Sequence, residues 1–339
     1  MPEVNWLNGG IVRWGAYVPR FRLSTELISK EWGGSGTTHK SVANIDEDAT
    51  TLGIEAARRA VVGYDREIDC VFFGSESKPY AAKASAITVA ESVGAGPFVS
   101  TIDLESACRG AVEGMFRACD GVGSGSVKHA LVVASDVAHS AIGDPLEKTA
   151  SAAAVAFVVG NSDEAVFSVS KPVSYATDTI DFHRRDGSAY PLHGGRFTGE
   201  PAYFHHTLTA ASTFLDRTGF KAADFRFAVF HQPNAKFPAE AGKRLGFESK
   251  QLEGSMFANS IGNPYAANVP LGMVLSMQQC SVGDMILVTS YGSGAGSDCF
   301  ALKCVRPVQA NSFSFGVCSP VTTYSQYLRM SRRIAPEGF

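Results

Sequence analysis

The sequence predicts an α/β fold built from two duplicated halves. A shift of 155 residues, the difference between 231 and 76, carries Glu76 onto His231. The same shift carries Cys108 onto Asn263, and the apolar segment HALVVASD onto DMILVTSY. Self-similarity at one fixed spacing is the signature of a repeated structural unit. We therefore expect like halves whose Glu, Cys, His and Asn side chains meet in one site at a pseudo-twofold interface.

The N-terminal half alternates strand and helix patterns. Apolar runs bounded by turn residues predict strands at residues 9–19, 69–75, 98–106, 129–135 and 152–160. Helical apolar spacing predicts helices at residues 46–62, 83–94 and 107–125; the first follows acidic residues suited to a helix start, and the last is closed by glycines. This alternation is typical of a layered α/β fold.

The same order recurs from about Phe167. Helices are predicted at residues 208–218, 237–247 and 269–280, and strands at residues 226–230 and 285–291. An insertion at residues 175–206, rich in glycine, aromatic and charged residues, is interpreted as a wall of the substrate site. The predicted division is an N-terminal half at residues 1–165, a C-terminal half at residues 166–305, and a tail at residues 306–339 that ends in the basic stretch SQYLRMSRRI.

Composition excludes several classes of function. In a chain of 339 residues, 45% hydrophobic and 19% charged content indicates a globular protein. The formal net charge of −3, without a run of Lys or Arg, argues against a nucleic-acid partner. An odd number of cysteines, 7, and no CxxC pair favour reduced thiols in a cytoplasmic protein, with no metal site and no redox cofactor. No signal peptide is evident, and the longest apolar stretch, residues 150–160, is shorter than the roughly 20 residues that span a bilayer.

Cys108 is the candidate nucleophile. It follows a predicted strand and begins a predicted helix, where free backbone N–H groups and the helix dipole are expected to lower the pKa of the thiol. Cys70, Cys119, Cys280 and Cys299 are interpreted as ordinary buried residues.

Glu76 and His231 follow predicted strands at equivalent positions of the two halves. Desolvation is expected to raise the pKa of Glu76, which suits removal of a proton from carbon next to a carbonyl. His231 lies where open α/β sheets place ligands, and its imidazole can hydrogen-bond a carbonyl oxygen. A solvated turn glutamate and a helix-capping histidine are the alternative interpretations.

Three weaker candidates complete the set. Asn263 in IGNPYAAN could orient His231 or a substrate oxygen, although Asn-Pro is also an ordinary turn. The loop YGSGAGSD, which contains Gly292, lacks the lysine of a P-loop and is expected to turn tightly beside the thiol with N–H groups available as an oxyanion hole. Lys236 is a candidate partner for an anionic group, or a solvated surface lysine.

Six motifs carry a resemblance to a known family. GSESKPYA, ESACRGA, HGGRFTGEPAYF, FHQPNAKFP, IGNPYAAN and SYGSGAGSD, in this order and up to about Cys304, resemble the archaeal-type hydroxymethylglutaryl-CoA (HMG-CoA) synthases of the thiolase superfamily. The resemblance implies a thiolase-like, five-layered αβαβα fold and a homodimer. It also implies condensation of acetyl-CoA with acetoacetyl-CoA and water to HMG-CoA in the mevalonate pathway of isoprenoid biosynthesis.

The resemblance also implies residue roles. Cys108 matches the acyl-accepting cysteine, Glu76 the general acid/base, and His231 the histidine at the acetoacetyl carbonyl. Residues that fall within motifs contacting the CoA or acyl portion are Thr149, Thr198, Lys236, Asn263, Gly292 and Ser293.

Some residues depart from the family pattern. Glu240 replaces a residue that is usually basic in relatives, which puts CoA phosphate contacts there in doubt. Pro264 and residues 266–268 differ from the usual small and hydroxyl-bearing run, so the acyl pocket is expected to be altered. The tail at residues 311–339 is also unusual.

Two alternative functions stay open. The first is another Cys-dependent Claisen-type acyltransferase, such as a type III ketoacyl synthase or a phloroglucinol-type acetyltransferase subunit, which would use a different acceptor. The type III ketoacyl synthases use Cys, His and Asn and lack a glutamate equivalent to Glu76. A non-catalytic scaffold would bind an acetoacetyl-CoA thiolase and a DUF35-type OB-fold protein, with the basic tail as a docking segment. Archaeal-type synthases resembling this chain associate with such proteins.

Overall fold

A computed structural model describes residues 4–294, 296–308 and 313–334. The strands are β1 Trp6–Tyr17, β2 Phe21–Ser24, β3 His39–Val42, β4 Cys70–Gly74, β5 Ser100–Leu104, β6 Ala130–Val137, β7 Ala152–Asn161, β8 Phe167–Ser170, β9 Val173–Ala176, β10 Phe182–His183, β11 Leu192–His193, β12 Phe227–Phe230, β13 Met285–Thr289, β14 Gly296–Cys304 and β15 Ser319–Val321. The α-helices are α1 Thr25–Trp32, α2 Ala49–Val61, α3 Ser85–Ser92, α4 Gly110–Gly123, α5 His205–Thr218, α6 Lys236–Arg244, α7 Ser249–Glu253, α8 Ala258–Ile261, α9 Asn268–Met277 and α10 Tyr324–Met330. A 3₁₀ turn spans Pro145–Lys148, and a π-helical turn at Gly199–Phe204 continues into α5.

The main sheet has the order β12-β13-β14-β8-β1-β7-β6-β4-β5, with β9 also paired to β14. Its two sides repeat one pattern. Strand β4 lies parallel to β6 as β12 lies parallel to β13, and the next pairings, β6 with β7 and β13 with β14, are antiparallel. The sides join where β1 pairs antiparallel with β8. This symmetry is the one that the 155-residue shift predicts.

Burial divides the fold into five layers. Along β6, Leu131 and Val133 pack with α2 and α3, whereas Val132 and Ala134 face a second core that contains α4 and α9. Residues of β12, β13 and β14 alternate in the same way between this central core and a third core formed with α5, α6 and α7. Helix α9 is buried on nearly all sides, as a helix between two sheet layers must be. The five-layered αβαβα prediction is confirmed.

The end of β4 touches the start of α4. A Cβ atom at Gly74 would collide with the backbone N of Ala111, so this contact requires glycine. Helix α2 begins at the predicted place, because the Asp48 carboxylate accepts a hydrogen bond from Thr51 N at 2.8 Å. The close approach of β4 to α4 brings the turn after β4 against the turn that precedes α4.

The tail is folded onto the N-terminal half. Strand β15 adds to β2 and β3 as a small sheet, and α10 packs on its apolar face. Arg333 ion-pairs with the fully buried Glu147 at 2.7 Å between Nη1 and Oε1. Residues 309–312 and 335–339 of the predicted tail lie outside the described residues. Among the helices of the described chain, none is long and apolar enough to cross a membrane.

Candidate active site

Four turns converge at the pseudo-twofold axis. Cys108 lies between β5 and α4, Glu76 follows β4, His231 follows β12, and Asn263 follows α8. A cavity of about 330 Å³, called here the central cavity, is lined among others by Cys108, Thr149, Thr198, His231, Asn263 and Ser293. The fold therefore brings together the residues that the repeat pairs.

The Cys108 thiol donates a hydrogen bond to Glu76, with 2.8 Å between Sγ and Oε1. Burial raises the pKa of the Glu76 carboxyl to about 8, and the nearby charge of Asp136 adds to the shift. The predicted rise in the pKa of Glu76 is confirmed.

The expected fall in the thiol pKa is wrong. Burial and the Glu76 carboxylate raise the pKa of Cys108 well above its ordinary value. Cys108 precedes the helix, and the N–H groups of Arg109 and Gly110 donate to the carbonyls of Ser106 and Ala107. Because these donors are engaged in the local turn, they do not stabilise a thiolate. The thiol must instead pass its proton to Glu76.

His231 is held as a neutral imidazole. Its side chain is enclosed between the rings of Tyr203 and Tyr291, and burial lowers its pKa to about 3. The Tyr203 hydroxyl donates to the backbone carbonyl of His231 at 2.7 Å, which fixes the turn. Nδ1 is buried and has no hydrogen-bond partner among the residues that the structure describes. A neutral imidazole can donate one N–H to a substrate oxygen without carrying charge.

Asn263 engages its amide oxygen within the protein. Its Oδ1 accepts hydrogen bonds from Asn268 Nδ2 at 2.8 Å and from Tyr265 N at 3.0 Å. Because the oxygen is occupied and Asn263 lines the central cavity, the NH₂ group is the part left for a ligand. No hydrogen bond between Asn263 and His231 occurs in the described ranges, which favours the substrate oxygen as its partner.

Asp136 organises the site, and sequence reasoning missed it. Its fully buried carboxylate accepts from Ser75 Oγ, Glu76 N, Ser77 N and Ser77 Oγ, and through Oδ2 from Ala266 N at 2.8 Å. One side chain thus ties the Glu76 turn to the turn after Asn263. The repeat carried a signal, since Asp136 plus 155 is Tyr291, another cavity residue that sequence reasoning overlooked.

The glycine-rich loop differs from the expectation at Gly292. Its N–H donates to Gly296 O at 2.8 Å and is therefore not available for an oxyanion. A Cβ atom there would lie 2.7 Å from both Arg109 Cγ and Ser106 O, so Gly292 permits close packing on the Cys108 turn. Ser293, the next residue, lines the central cavity.

The insertion forms one wall of the central cavity, as expected. Phe182, His193, Gly195, Thr198 and Tyr203 line it. His193 is fixed there by a 3.2 Å contact between Nε2 and Asp144 Oδ2.

Lys236 lies outside the central cavity. It is exposed at the first turn of α6 and lines a neighbouring groove of about 990 Å³ with Phe237, Glu240 and Lys243. Phe237 also lines the central cavity, so the groove and the cavity adjoin. Glu240 is paired with Arg244 at 2.8 Å.

Comparisons with known proteins agree with this arrangement. Residues 102–176 match the family model described as 3-oxoacyl-[acyl-carrier-protein] synthase III, and residues 215–304 match the model of its C-terminal part. A solved structure, described as HMG-CoA synthase complexed with CoA, superposes with a TM-score of 0.87 at 24% identity, covering 96% of this chain and 90% of its own, and shows the shared fold.

Close relatives come from archaea. The hydroxymethylglutaryl-CoA synthase of Aeropyrum pernix is 46% identical, over 87% of this chain and 84% of its own length. The hydroxymethylglutaryl-CoA synthase of Methanothermobacter thermautotrophicus is 45% identical, over 87% of this chain and 88% of its own. At this identity and coverage, the chain belongs to the hydroxymethylglutaryl-CoA synthase family.

Proposed function

We propose that this protein condenses acetyl-CoA with acetoacetyl-CoA and water, giving HMG-CoA and CoA through an acetyl-Cys108 intermediate. The observation that carries the proposal is the 2.8 Å contact between Cys108 Sγ and the Glu76 carboxylate, beside a cavity that His231 and Asn263 line. A nucleophile, a base for carbon acids and hydrogen-bond donors for an oxyanion are the groups that a Claisen-type condensation needs.

In the first step, Glu76 takes the thiol proton as Cys108 attacks the carbonyl of acetyl-CoA. The C–S bond to CoA then breaks, and the departing thiolate receives the proton from Glu76. This route suits a thiol whose pKa is raised, because the proton moves along an existing hydrogen bond during attack.

In the second step, Glu76 removes a proton from the methyl group of acetyl-Cys108. The enolate carbon attacks the ketone of acetoacetyl-CoA, and a new C–C bond forms. His231 is neutral, so it stabilises the developing alkoxide by donating a hydrogen bond. The alkoxide then takes the proton that Glu76 collected, which gives the tertiary hydroxyl and restores the Glu76 carboxylate. Asn263 supplies a second donor through its free NH₂ group.

In the last step, water cleaves the Cys108 thioester and releases HMG-CoA. Thr149, Thr198 and Ser293, which line the central cavity, are proposed to contact the acyl and pantetheine portions. Lys236, with Lys243 in the adjoining groove, is proposed to meet the CoA phosphates. Gly292 acts through packing, and the chemistry requires no metal or redox cofactor.

A homodimer in the cytoplasm is part of the proposal. Strand β5 is an edge strand, and Phe98 and Ile102 on or beside it are 92% and 49% exposed. An unpaired edge flanked by exposed apolar residues is suited to pairing with a second copy. Association with an acetoacetyl-CoA thiolase and a DUF35-type protein is a further proposal. The tail gives it little support, because Arg333 is buried against Glu147 and Arg332 donates to Ile45 O.

The test is incubation with acetyl-CoA, followed by intact-mass measurement and product analysis after acetoacetyl-CoA is added. The expected result is a gain of one acetyl group, absent in Cys108→Ala, and then HMG-CoA. Acetylation with a linear rather than a branched product would favour a ketoacyl synthase. Absence of acetylation would favour the scaffold, and acetylation that persists in Cys108→Ala would contradict the nucleophile.

A further inference from the structure

A second cavity opens on Glu76 from a different side. This polar chamber, of about 440 Å³, is lined among others by Glu76, Lys78, Glu105, His139, His183 and Arg184. Cys108, His231 and Asn263 line the central cavity and do not line the polar chamber. The reactive pair therefore lies between two spaces of different chemistry, with the thiol facing one and the carboxylate facing the other.

Phe182 and Tyr265 form an aromatic partition at the boundary that the two spaces share. Phe182, Tyr265 and Ser293 line both, and the rings of Phe182 and Tyr265 meet edge to face with centroids 5.8 Å apart. Tyr265 packs with Cys108 and Ala138 in a small apolar cluster. This partition shields the central cavity, where a carbanion-like enolate would be quenched by bulk water.

The chamber is held against Glu76 by the insertion. Arg184 Nη2 donates to the backbone carbonyl of Glu76 at 3.2 Å. Nδ1 of His183 is buried and lacks a hydrogen-bond partner within the described part of the chain, which is the environment that an ordered water satisfies. The lining charges provide further donors and acceptors for a chain of waters.

The proposed reaction needs a second route by which water can reach the Cys108 thioester, so the inference rests on the proposed function. After condensation, the branched acyl chain on Cys108 still carries CoA at its far end, so the central cavity is filled by the intermediate. Water that hydrolyses the Cys108 thioester must therefore arrive from the side that the CoA chain does not occupy. The polar chamber reaches Glu76 from such a side.

We propose that the polar chamber delivers the hydrolytic water to Glu76 and that the Phe182–Tyr265 partition keeps it from the enolate. Glu76 removes one proton from this water as its oxygen bonds to the thioester carbon. The C–S bond breaks, the sulfur takes the proton from Glu76, and HMG-CoA leaves with a new carboxyl group that ionises. Arg184 and His183 are positioning residues for the water.

The test uses the full-length protein with His183→Phe and Arg184→Met, and with His205→Phe and Arg185→Met as matched controls from the same insertion outside both cavities. We expect His183→Phe to acetylate Cys108 at the wild-type rate, measured as CoA release in a single turnover. Arg184→Met should do so once the pH is high enough to ionise Glu76, because the Arg184 charge lowers the pKa of that carboxyl. Hydrolysis should slow about tenfold or more, as expected when one reactant loses its position. Intact-mass measurement during turnover should then show an HMG-CoA adduct that accumulates on the chamber variants alone.

Hydrolysis at the wild-type rate in both chamber variants would overturn the proposal. So would an equal loss of acetylation and hydrolysis, or the same defect in the controls, because the effect would then be structural. Failure of the proposed function looks different, since the wild-type protein itself would form neither adduct nor HMG-CoA.

Discussion

The two catalytic turns occupy equivalent places in the repeat but are held by different chemistry. In the N-terminal half, the charged carboxylate of Asp136 accepts hydrogen bonds from Ser75, Glu76 and Ser77. In the C-terminal half, the neutral amide of Asn268 bridges Gln232 and Asn263. Duplication conserved the backbone positions, whereas the supporting side chains diverged.

This difference sets what each half can do. Burial raises the pKa of the Glu76 carboxyl, and the negative charge of Asp136 adds to this rise and keeps a proton near the thiol. The groups that support the His231 turn are neutral, so burial is what shifts the pKa of the imidazole, and it lowers that pKa. One half therefore exchanges protons, and the other provides fixed, uncharged hydrogen-bond donors.

The largest expected effect comes from Cys108→Ala. Loss of the nucleophile should lower HMG-CoA formation by a factor on the order of 10⁴ or more, because no acyl-enzyme can form. Cys280 is a buried cysteine just after α9, and Cys280→Ala serves as the matched control. Intact-mass measurement should show that this variant is still acetylated. Comparable loss in both variants would mean that the defect is structural.

Glu76→Gln should separate proton exchange from binding. The amide keeps the shape of the carboxyl but cannot accept a proton, so condensation should fall by roughly 10²–10⁴-fold. Exchange of deuterium from the methyl group of acetyl-enzyme into solvent should stop as well. Persistent exchange would show that another base acts and would break the contrast between the halves.

The same variant should change the pH dependence of stability. The folded pKa of Glu76, about 8, lies above its ordinary value of 4.5, so the wild-type fold binds this proton more tightly than the unfolded chain does. The wild-type protein should therefore lose stability as pH rises from about 4.5 to 8, and Glu76→Gln should lose less. Urea unfolding of both proteins at several pH values measures the difference.

His231→Gln should affect the step in which the ketone oxygen of acetoacetyl-CoA becomes an alkoxide. Acetylation of Cys108 should remain near wild type, while condensation should fall by about 10²–10³-fold because a preorganised donor is displaced. Single-turnover acetylation and steady-state product formation measure the two steps. A loss of acetylation equal to that of condensation would show that His231 serves both halves of the reaction.

Of these variants, Asp136→Asn should change the rate of HMG-CoA formation least, and it should shift the pH dependence of that rate. Removing the charge should lower the pKa of Glu76, so the rising limb of the pH–rate profile shifts to lower pH. The variant retains an acceptor oxygen for Ser75 and Ser77 but loses charge-assisted bonds, at a cost in unfolding free energy of about 1–3 kcal/mol. An unshifted profile would assign the pKa of Glu76 to burial alone.

Much of this could be predicted from local sequence. The 155-residue shift identified the repeat, and the strand-to-turn patterns placed Glu76, Cys108, His231 and Asn263 at converging strand and helix ends. These features depend on hydrophobic periodicity and turn residues, which are read within one short segment.

The properties of the site required the tertiary structure. The raised pKa of the Cys108 thiol comes first from burial and then from the charges of Glu76, in the turn after β4, and Asp136, on β6. The N–H of Gly292 is occupied because it donates a hydrogen bond to Gly296. The polar chamber exists because the insertion folds back over the Glu76 turn. The sequence alone determined which reactive groups stand at the ends of the elements. Tertiary packing decided their protonation, their free hydrogen-bond donors and their access to water, because solvent exclusion and charge proximity arise between segments distant in the chain.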